Sequence, residues 1–239
     1  MHAFRFDGLV DVGPDSLVRL DPREESHLFK ILRARSGDRV RLLDGRGTTG
    51  VAVVGQGREL VLESKETVPP PSRRLHLYFA PPKKQKLDAL LKQSVELGVD
   101  VLVPVLCERS VVQPGESSVG GRWTDLLFEA CKQSGNPFLP SVCPPVPFSE
   151  AVARARETCG VLVVGSNRTG SAPDLGNASD AAFFVGPEGG FTDAETDAMS
   201  AAGAIPLRIG DWTLRVETAA IAGLGVLNVL MKEANSAMR

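Results

Sequence analysis

The segment from Phe183 to Glu195, FFVGPEGGFTDAE, places one carboxylate among three glycines at the end of an apolar run. Glycine permits positive φ and lets a ligand approach the main chain without a Cβ in the way. Such a loop can bind a purine ring or a carboxylate through its exposed N–H and C=O groups. Thr192 and Glu195 have the spacing of a capping box, so a helix is predicted to begin directly after the loop. A plain strand-to-helix turn would also fit, although a turn has no need of the charge on Glu188.

A second candidate stretch, IGDWTLRVETAAIAGLGVLNVL, begins at Ile209. It predicts a strand ending at Gly210, a short loop, and a helix with Arg215 and Glu217 in its first turn. The helix dipole favours a carboxylate at this end, so the dipole alone accounts for Glu217. The same dipole opposes Arg215. A cation in an unfavourable place suggests a negatively charged substrate group, either a phosphate or a carboxylate.

The sequence supports neither of two common nucleotide-binding motifs, the dinucleotide fingerprint and the Walker A motif. The sequence GRGTTG, from Gly45 to Gly50, matches the dinucleotide fingerprint in its letters. That fingerprint requires a helix after it, whereas the strand-like VAVVG follows here, so a β-hairpin turn is predicted instead. No Walker A sequence is present, which removes the main support for ATP or GTP hydrolysis.

Composition and residue spacing narrow the class of protein. The mean hydropathy is near zero, there is no apolar run long enough to cross a membrane, and the N-terminus lacks the apolar core of a signal peptide. A cytoplasmic protein is therefore expected. The cysteine and histidine residues are scattered, so we expect buried, reduced thiols and no metal site. They are Cys107, Cys131, Cys143, Cys159, His2, His27 and His76.

The net charge of −2 alone argues against a nucleic-acid partner, but the charges are unevenly distributed. Basic residues concentrate between Lys30 and Arg46 and again between Arg73 and Lys92, while the last hundred-odd residues are acidic. This asymmetry suggests one basic face on an otherwise neutral protein. Ordinary solvated lysine and arginine residues are the alternative.

The secondary-structure pattern predicts two domains. Residues 1–70 contain short Val- and Leu-rich strands separated by Gly and Asp turns, with one helix at EESHLFKILRA. The prolines of VPPPSRR then interrupt the chain, and strands alternate with helices over residues 73–239. That alternation predicts an α/β fold with a parallel sheet, whose ligands bind beyond the carboxyl ends of the strands. The strands ending in FFVG and LRIG are expected to be neighbours.

At this point the residues resemble a known family. VGPEGGFTDAE and LRIGDWTLRVETAA are similar to the two C-terminal motifs of the RsmE family, ribosomal RNA methyltransferases of the SPOUT class. HLFKILRARSGDRVRLLDGRG resembles the N-terminal signature of that family. Four further pieces follow in the family's order, so the resemblance covers nearly the whole chain: KLDALLKQSVELGV, ERSVV, RW and EACKQSG.

The resemblance implies a specific activity and fold. The family transfers a methyl group from S-adenosylmethionine to N3 of a uridine in 16S rRNA. Its C-terminal domain is an α/β fold with a trefoil knot, its N-terminal domain is PUA-like, and members of the class are usually homodimers. The chain departs from the family pattern at Gln93, Asn136 and Val216, where lysine, arginine and threonine are usual. The missing lysine and arginine are residue types that contact RNA.

The catalytic and cofactor-binding roles follow from matching the motifs, and the RNA-binding roles follow from basic character, with 16S rRNA or the small ribosomal subunit as the partner. The predicted catalytic residues are Arg215 and Glu217. The predicted S-adenosylmethionine-binding residues are Gly186, Glu188, Gly189, Gly190, Ile209, Gly210, Leu214 and Thr218. The predicted RNA-binding residues are Lys30, Arg33, Arg35, Lys83, Lys84, Lys86 and Arg109. Two alternatives are a ribose 2′-O-methyltransferase of the same class and a non-catalytic RNA-binding or ribosome-assembly factor.

Overall fold

The chain folds into two compact units. The computed structural model describes residues 1–112, 114, 121–167, 170, 172–176 and 178–236. One unit consists of Met1–Pro70 with Phe128–Leu139, and the other of Pro71–Leu127 with Pro140–Arg239. The sequence predicts residues 128–139 within the domain 73–239, whereas their packing groups them with the first unit.

The first unit is built on a five-stranded sheet in the order β1-β3-β4-β5-β2. Strand β1 runs parallel to β3, and the other pairs are antiparallel. Phe4, Leu42 and Leu62 are among the fully buried side chains of its core. The strands are β1 Ala3–Arg5, β2 Leu17–Val18, β3 Arg39–Leu43, β4 Thr48–Val54 and β5 Leu60–Thr67.

The predicted hairpin turn between β3 and β4 is confirmed. The Oδ1 atom of Asp44 accepts hydrogen bonds from the backbone N–H groups of Arg46 at 2.7 Å and Thr48 at 2.9 Å. A short acidic side chain that satisfies the backbone in this way is a common means of closing a turn. No helix follows these glycines, so they cannot present a helix N-terminus to a dinucleotide.

The second segment of the first unit packs onto this turn. The N–H of Gly47 donates to the carbonyl of Pro137, and the N–H of Leu139 donates to the carbonyl of Gly45, both at 2.9 Å. The ring of Phe138 lies so close to Gly47 that a Cβ there would be 2.7 Å from it. The first unit is thus completed by residues that lie far along the chain.

The helix predicted at residues 24–34 of the first unit is present. It consists of α1, Pro22–Ser26, followed by a π-helical turn at His27–Ile31. Asp21 caps it, because its side chain accepts hydrogen bonds from the N–H groups of Arg23 and Glu24. Arg33, two residues after this turn, has a φ of +55°, which is uncommon for a residue with a side chain.

A nearly buried lysine joins the two segments of the first unit. The Nζ atom of Lys132 lies 2.9 Å from Oε1 of Glu24 and 2.7 Å from Oε1 of Glu129. Only 6% of the Lys132 side chain and 11% of the Glu24 side chain are exposed. A charge in such surroundings needs its partner, because neither ion could be solvated on its own.

The second unit is an α/β unit with a fully parallel sheet, as predicted. Its strands follow the order β12-β10-β11-β6-β7-β8, and β9 pairs with β7. The elements are β6 Arg74–Phe79, α2 Lys84–Glu96, β7 Val101–Leu106, α3 Arg122–Ser134, β8 Ser141–Val142, β9 Val146–Pro147, α4 Phe148–Thr158, β10 Val161–Gly165, β11 Asp180–Val185, α5 Asp193–Ala201, β12 Ile205–Leu207 and α6 Val216–Ser236. Of α3, the residues from Phe128 onward are grouped with the first unit.

One topological prediction is wrong. The strands that end in FFVG and LRIG, β11 and β12, are not neighbours, because β10 lies between them. Parallel strands are joined by crossover helices, so closeness in sequence does not decide which strands pair.

The trefoil knot, which the family resemblance implies, stays a prediction. No helix among the described residues has both the length and the apolar character needed to span a membrane.

The packing of α6 against β11 leaves no room for a side chain at Gly223. A Cβ at that position would overlap the ring of Phe183, which is fully buried. We expect Gly223→Ala to lower the free energy of unfolding by about 1–3 kcal/mol, since the core cannot accept the added methyl group without shifting. Urea denaturation measures this change.

Gly225 provides a matched control in the same helix. A Cβ there would meet nothing within 4 Å. Gly225→Ala is expected to raise the free energy of unfolding by up to about 1 kcal/mol, because alanine favours a helix more than glycine does. Equal losses in the two variants would contradict the packing argument.

Candidate active site

A cavity of about 470 Å³ opens at the carboxyl ends of β10, β11 and β12. Its walls are the three loops that follow these strands, parts of α5 and α6, and Arg109 from the loop after β7. Sites for small molecules usually enclose about 300–1,000 Å³. The cavity therefore has the size and the position expected of a ligand site in a parallel sheet.

The loop that follows β11 forms one wall of the cavity. Gly190 has a φ of +69°, and its N–H donates to the carbonyl of Pro187 at 2.8 Å. The predicted capping box is confirmed, because Thr192 and Glu195 each accept a hydrogen bond from the other's backbone N–H. The loop thus ends at a firmly fixed helix N-terminus.

The loop that follows β12 forms another wall of the cavity. Arg208 donates from Nε to the carbonyl of Gly210 at 3.2 Å and from Nη2 to Asp211 at 2.9 Å, which fixes the start of the loop. The indole of Trp212 is 83% exposed although the residue lines the cavity. A large aromatic ring is therefore accessible beside the opening.

The third wall was not predicted. Val164, Gly165, Ser166 and Asn167, at the end of β10, line the cavity. The Nδ2 group of Asn167 donates to Oγ1 of Thr213 at 3.3 Å and so connects this loop to the one after β12. The sequence does contain a signal for this wall, because GVLVVG is an apolar strand that ends in glycine, like the other two strands. It was missed because β10 was not expected between the other two strands.

Most of the predicted cofactor residues meet at this cavity. Those that line it are Gly186, Glu188, Gly189, Gly190, Ile209, Gly210 and Leu214. Thr218 is not among the lining residues and is exposed on α6. The two glycine-containing loops thus line the same cavity, although their strands are separated by β10.

Each of the two predicted catalytic residues comes directly after a cavity-lining residue in the sequence. Arg215 is exposed and precedes α6, and its carbonyl accepts a hydrogen bond from the N–H of Ala219 at 2.8 Å. Its neighbours on both sides, Leu214 and Val216, line the cavity. Glu217 lies two residues further, in the first turn of α6, with Oε1 at 3.3 Å from Nζ of Lys86, while Oε2 is buried and has no hydrogen-bond partner in the described part of the chain.

The predicted RNA-binding residues fall into different surroundings. Lys30, Arg33 and Arg35 are exposed in the first unit, and Lys83 is exposed just before α2. The side chain of Lys84 lies outside the described part of the structure. Lys86 pairs with Glu217. The guanidinium of Arg109 lies against the loop after β11, where it donates to backbone carbonyls.

The three departures from the family pattern also differ in their surroundings. Gln93 is exposed on α2. Asn136 belongs to the first unit, where its Oδ1 accepts from the N–H of Phe138 at 3.0 Å. Val216 is buried and lines the cavity. The side chain at position 216 thus contributes apolar surface to the site.

A second group of titratable side chains resembles a catalytic triad in its residue types. His76 lies between Asp180, with Nε2 at 3.2 Å from Oδ1, and Cys159, with Nδ1 at 3.6 Å from Sγ. Burial lowers the pKa of His76, although Asp180 opposes the shift, and burial raises the pKa of Cys159. Both shifts favour the neutral forms, which is the opposite of what a thiolate nucleophile requires. The predicted buried, reduced state of all four cysteines is confirmed.

Comparisons with known proteins converge on one family. An RNA methyltransferase domain matches residues 69–228, and an RNA methyltransferase PUA domain matches residues 20–62. The chain is 30% identical to the ribosomal RNA small subunit methyltransferase E of Mycobacterium bovis, over 95% of this chain and 91% of that protein.

Two solved structures with bound S-adenosylmethionine have the same fold. The ribosomal RNA small subunit methyltransferase E of Neisseria gonorrhoeae is 26% identical, with a TM-score of 0.83 over 96% of this chain and 98% of that one. A methyltransferase of Legionella pneumophila is also 26% identical, with a TM-score of 0.83 over 95% of this chain and 96% of that one.

Proposed function

Because the chain belongs to the ribosomal RNA small subunit methyltransferase E family, we propose that it methylates N3 of a uridine in 16S rRNA. S-adenosylmethionine is the methyl donor. The observation that carries the proposal is the meeting of two separate glycine-containing loops in one cavity, with Arg215 and Glu217 immediately after the second loop.

The residues of the cavity fit this donor. Much of the lining is backbone of glycine-containing loops, which offers N–H and C=O groups to an adenine and a ribose. The carboxylates of Glu188 and Asp193 also belong to the lining, and they complement the positive charges of a sulfonium and an amino group. When bound, S-adenosylmethionine supplies an electrophilic methyl group.

The first task of the protein is to position the two reactants. Methyl transfer is an in-line displacement, and holding two reactants in line at contact distance can lower the barrier by about 7–11 kcal/mol. The loops after β10, β11 and β12 surround the donor site on three sides. We assign the exposed Arg215, between two lining residues, to the side from which the other reactant approaches.

The second task is to deal with the proton on uracil N3. We assign the stabilisation of the developing uracil anion to the guanidinium of Arg215, because a fixed cation aimed at developing charge lowers the barrier. We assign to Glu217 the role of base or orienting acceptor for the N3 proton, which requires that its buried Oε2 atom, unpaired in the described chain, becomes accessible when the RNA binds. Its other oxygen remains paired with Lys86.

The third task is to bind the RNA. N3 lies on the Watson–Crick edge of uracil, so the target base must be unpaired or extruded from its stack. The exposed basic residues Lys30, Arg33, Arg35 and Lys83 are suited to phosphate contacts. We further propose that the enzyme acts in the cytoplasm as a homodimer, as the family resemblance implies.

Mass spectrometry of nucleosides from 16S rRNA tests the proposed function. RNA from cells that lack the protein is expected to lose one 3-methyluridine, which returns when the wild-type chain is supplied. Loss of a 2′-O-methylated nucleoside instead would identify a ribose methyltransferase. Unchanged nucleosides, together with no binding of S-adenosylmethionine in calorimetry, would identify a non-catalytic factor.

A further inference from the structure

We propose that Arg109 and Glu195 are positioning residues that hold the methyl-donor loop in its binding conformation. The proposal rests on the proposed function, since it concerns the same cavity. It assigns to Arg109 a role different from the RNA contact predicted from the sequence. The clamp is the pair of contacts that these two side chains make between the loop after β7 and the loop after β11.

Glu195 forms the first half of the clamp. It is only 6% exposed, and Oε2 accepts from the N–H of Thr192 at 2.8 Å, which completes the capping box. Its other oxygen, Oε1, accepts from the N–H of Glu108 at 2.9 Å. A capping box needs only the first of these bonds. The second joins the start of α5 to a segment 87 residues earlier in the chain.

Arg109 forms the second half. Its Nη1 group donates to the carbonyl of Gly189 at 3.0 Å and to that of Phe191 at 3.4 Å. These two carbonyls flank Gly190, whose positive φ turns the loop. A Cβ at Gly189 would lie 3.2 Å from Cβ of Arg109, so the stem of the arginine lies directly against this main chain.

The segment that carries Glu108 and Arg109 is itself fixed. Cys107 accepts from the N–H of Ser110 through its carbonyl and donates its own N–H to Oγ of Ser110, both at 3.0 Å. Cys107 is buried, and burial raises the pKa of its thiol to about 12. The closed turn after β7 can therefore serve as a rigid support for the donor loop.

The clamp lowers the entropic cost of binding the methyl donor. A flexible glycine-rich loop loses conformational entropy when a ligand orders it, and fixing the loop beforehand removes that cost. Arg109 bonds to two carbonyls of the loop, so these contacts do not compete with a ligand for the N–H groups of the loop. Loss of the clamp should weaken donor binding and leave phosphate contacts elsewhere unchanged.

Binding measurements on four arginine variants test the proposal. Arg109→Met keeps an apolar stem of similar length but has no donor group, and Arg109→Lys restores one donor. Arg156→Met, on the exposed side of α4, is the matched control. Arg33→Met removes a predicted phosphate contact in the first unit. Calorimetry gives the affinity for S-adenosylmethionine without RNA, and filter binding gives the affinity for 16S rRNA fragments without the donor.

The expected result separates the two roles of Arg109. Arg109→Met should bind S-adenosylmethionine about tenfold more weakly than the control, since bonds from a charged donor are lost, and Arg109→Lys should fall between. The RNA affinity of Arg109→Met should equal that of the control. Arg33→Met should bind RNA more weakly than the control and S-adenosylmethionine equally well. Unchanged donor affinity with weakened RNA binding in Arg109→Met would overturn the proposal.

Hydrogen exchange of the donor-free protein provides a readout that does not depend on the ligand. The amides from Gly189 to Phe191 should exchange faster in Arg109→Met than in Arg156→Met, and Glu195→Gln should have the same effect through the other half of the clamp. Equal exchange in all variants would overturn the clamp while leaving the proposed function intact. A wild-type chain that fails to bind S-adenosylmethionine would instead overturn the proposed function.

Discussion

Arg215→Ala is expected to lower the rate of rRNA methylation by about 10²–10³-fold, because a preorganised donor aimed at developing negative charge is worth that much. The affinity for S-adenosylmethionine should change little, since Arg215 is not among the lining residues of the cavity. Single-turnover transfer of a labelled methyl group to 16S rRNA, with enzyme in excess, measures the chemical step.

Arg215→Lys separates charge from geometry in the same assay. A lysine keeps the positive charge but not the planar, bidentate donor, so an intermediate rate is expected. Arg156→Met is again the control and should retain the wild-type rate. A full rate in Arg215→Ala would show that this arginine has no part in the reaction and would remove the basis for its assignment.

Lys132→Met is expected to lower the free energy of unfolding of the first unit by about 3–5 kcal/mol, because it leaves the buried carboxylate of Glu24 without its partner. Glu129 is half exposed and can be solvated, so its loss of the lysine should matter less. Thermal and urea denaturation followed by circular dichroism would show unfolding at a lower temperature and a lower urea concentration. Lys92→Met, an exposed position on α2, should change the stability by less than about 0.5 kcal/mol.

A double variant tests whether the cost comes from the uncompensated charge. Replacing a whole buried ion pair with apolar residues is often nearly neutral. Lys132→Met combined with Glu24→Met should therefore recover most of the stability that the single variant loses. If the double variant is as unstable as the sum of both single changes, the lost packing, and not the charge, is responsible.

Local patterns predicted the local parts of the site well. The box formed by Thr192 and Glu195 and the glycines before it are close in sequence, so the helix start and the open loop follow from residue types alone. The left-handed glycines that end α2 and α3, Gly98 and Gly135, were predictable for the same reason. Seven of the eight residues that the family resemblance assigns to the cofactor line one cavity, and their role in binding stays a prediction.

Contacts between distant segments could not be predicted in this way. The place of β10 between β11 and β12 depends on crossover connections, which leave no trace in strand composition. Arg109 is 80 residues from Gly189, so its sequence neighbours give no sign that its guanidinium caps a carbonyl. Basic character alone suggested RNA, because charge is visible in a sequence and a hydrogen-bond partner is not.

The two-segment construction of the first unit has a consequence for biosynthesis. A nascent chain leaves the ribosome from its amino end, at roughly 5–20 residues per second. The turn at Gly45 and Gly47 cannot gain its bonds to Pro137 and Leu139 until those residues have been translated, several seconds after the sheet strands. During that interval the amino-terminal sheet is an unfinished intermediate, so its maturation is tied to translation of the following segment.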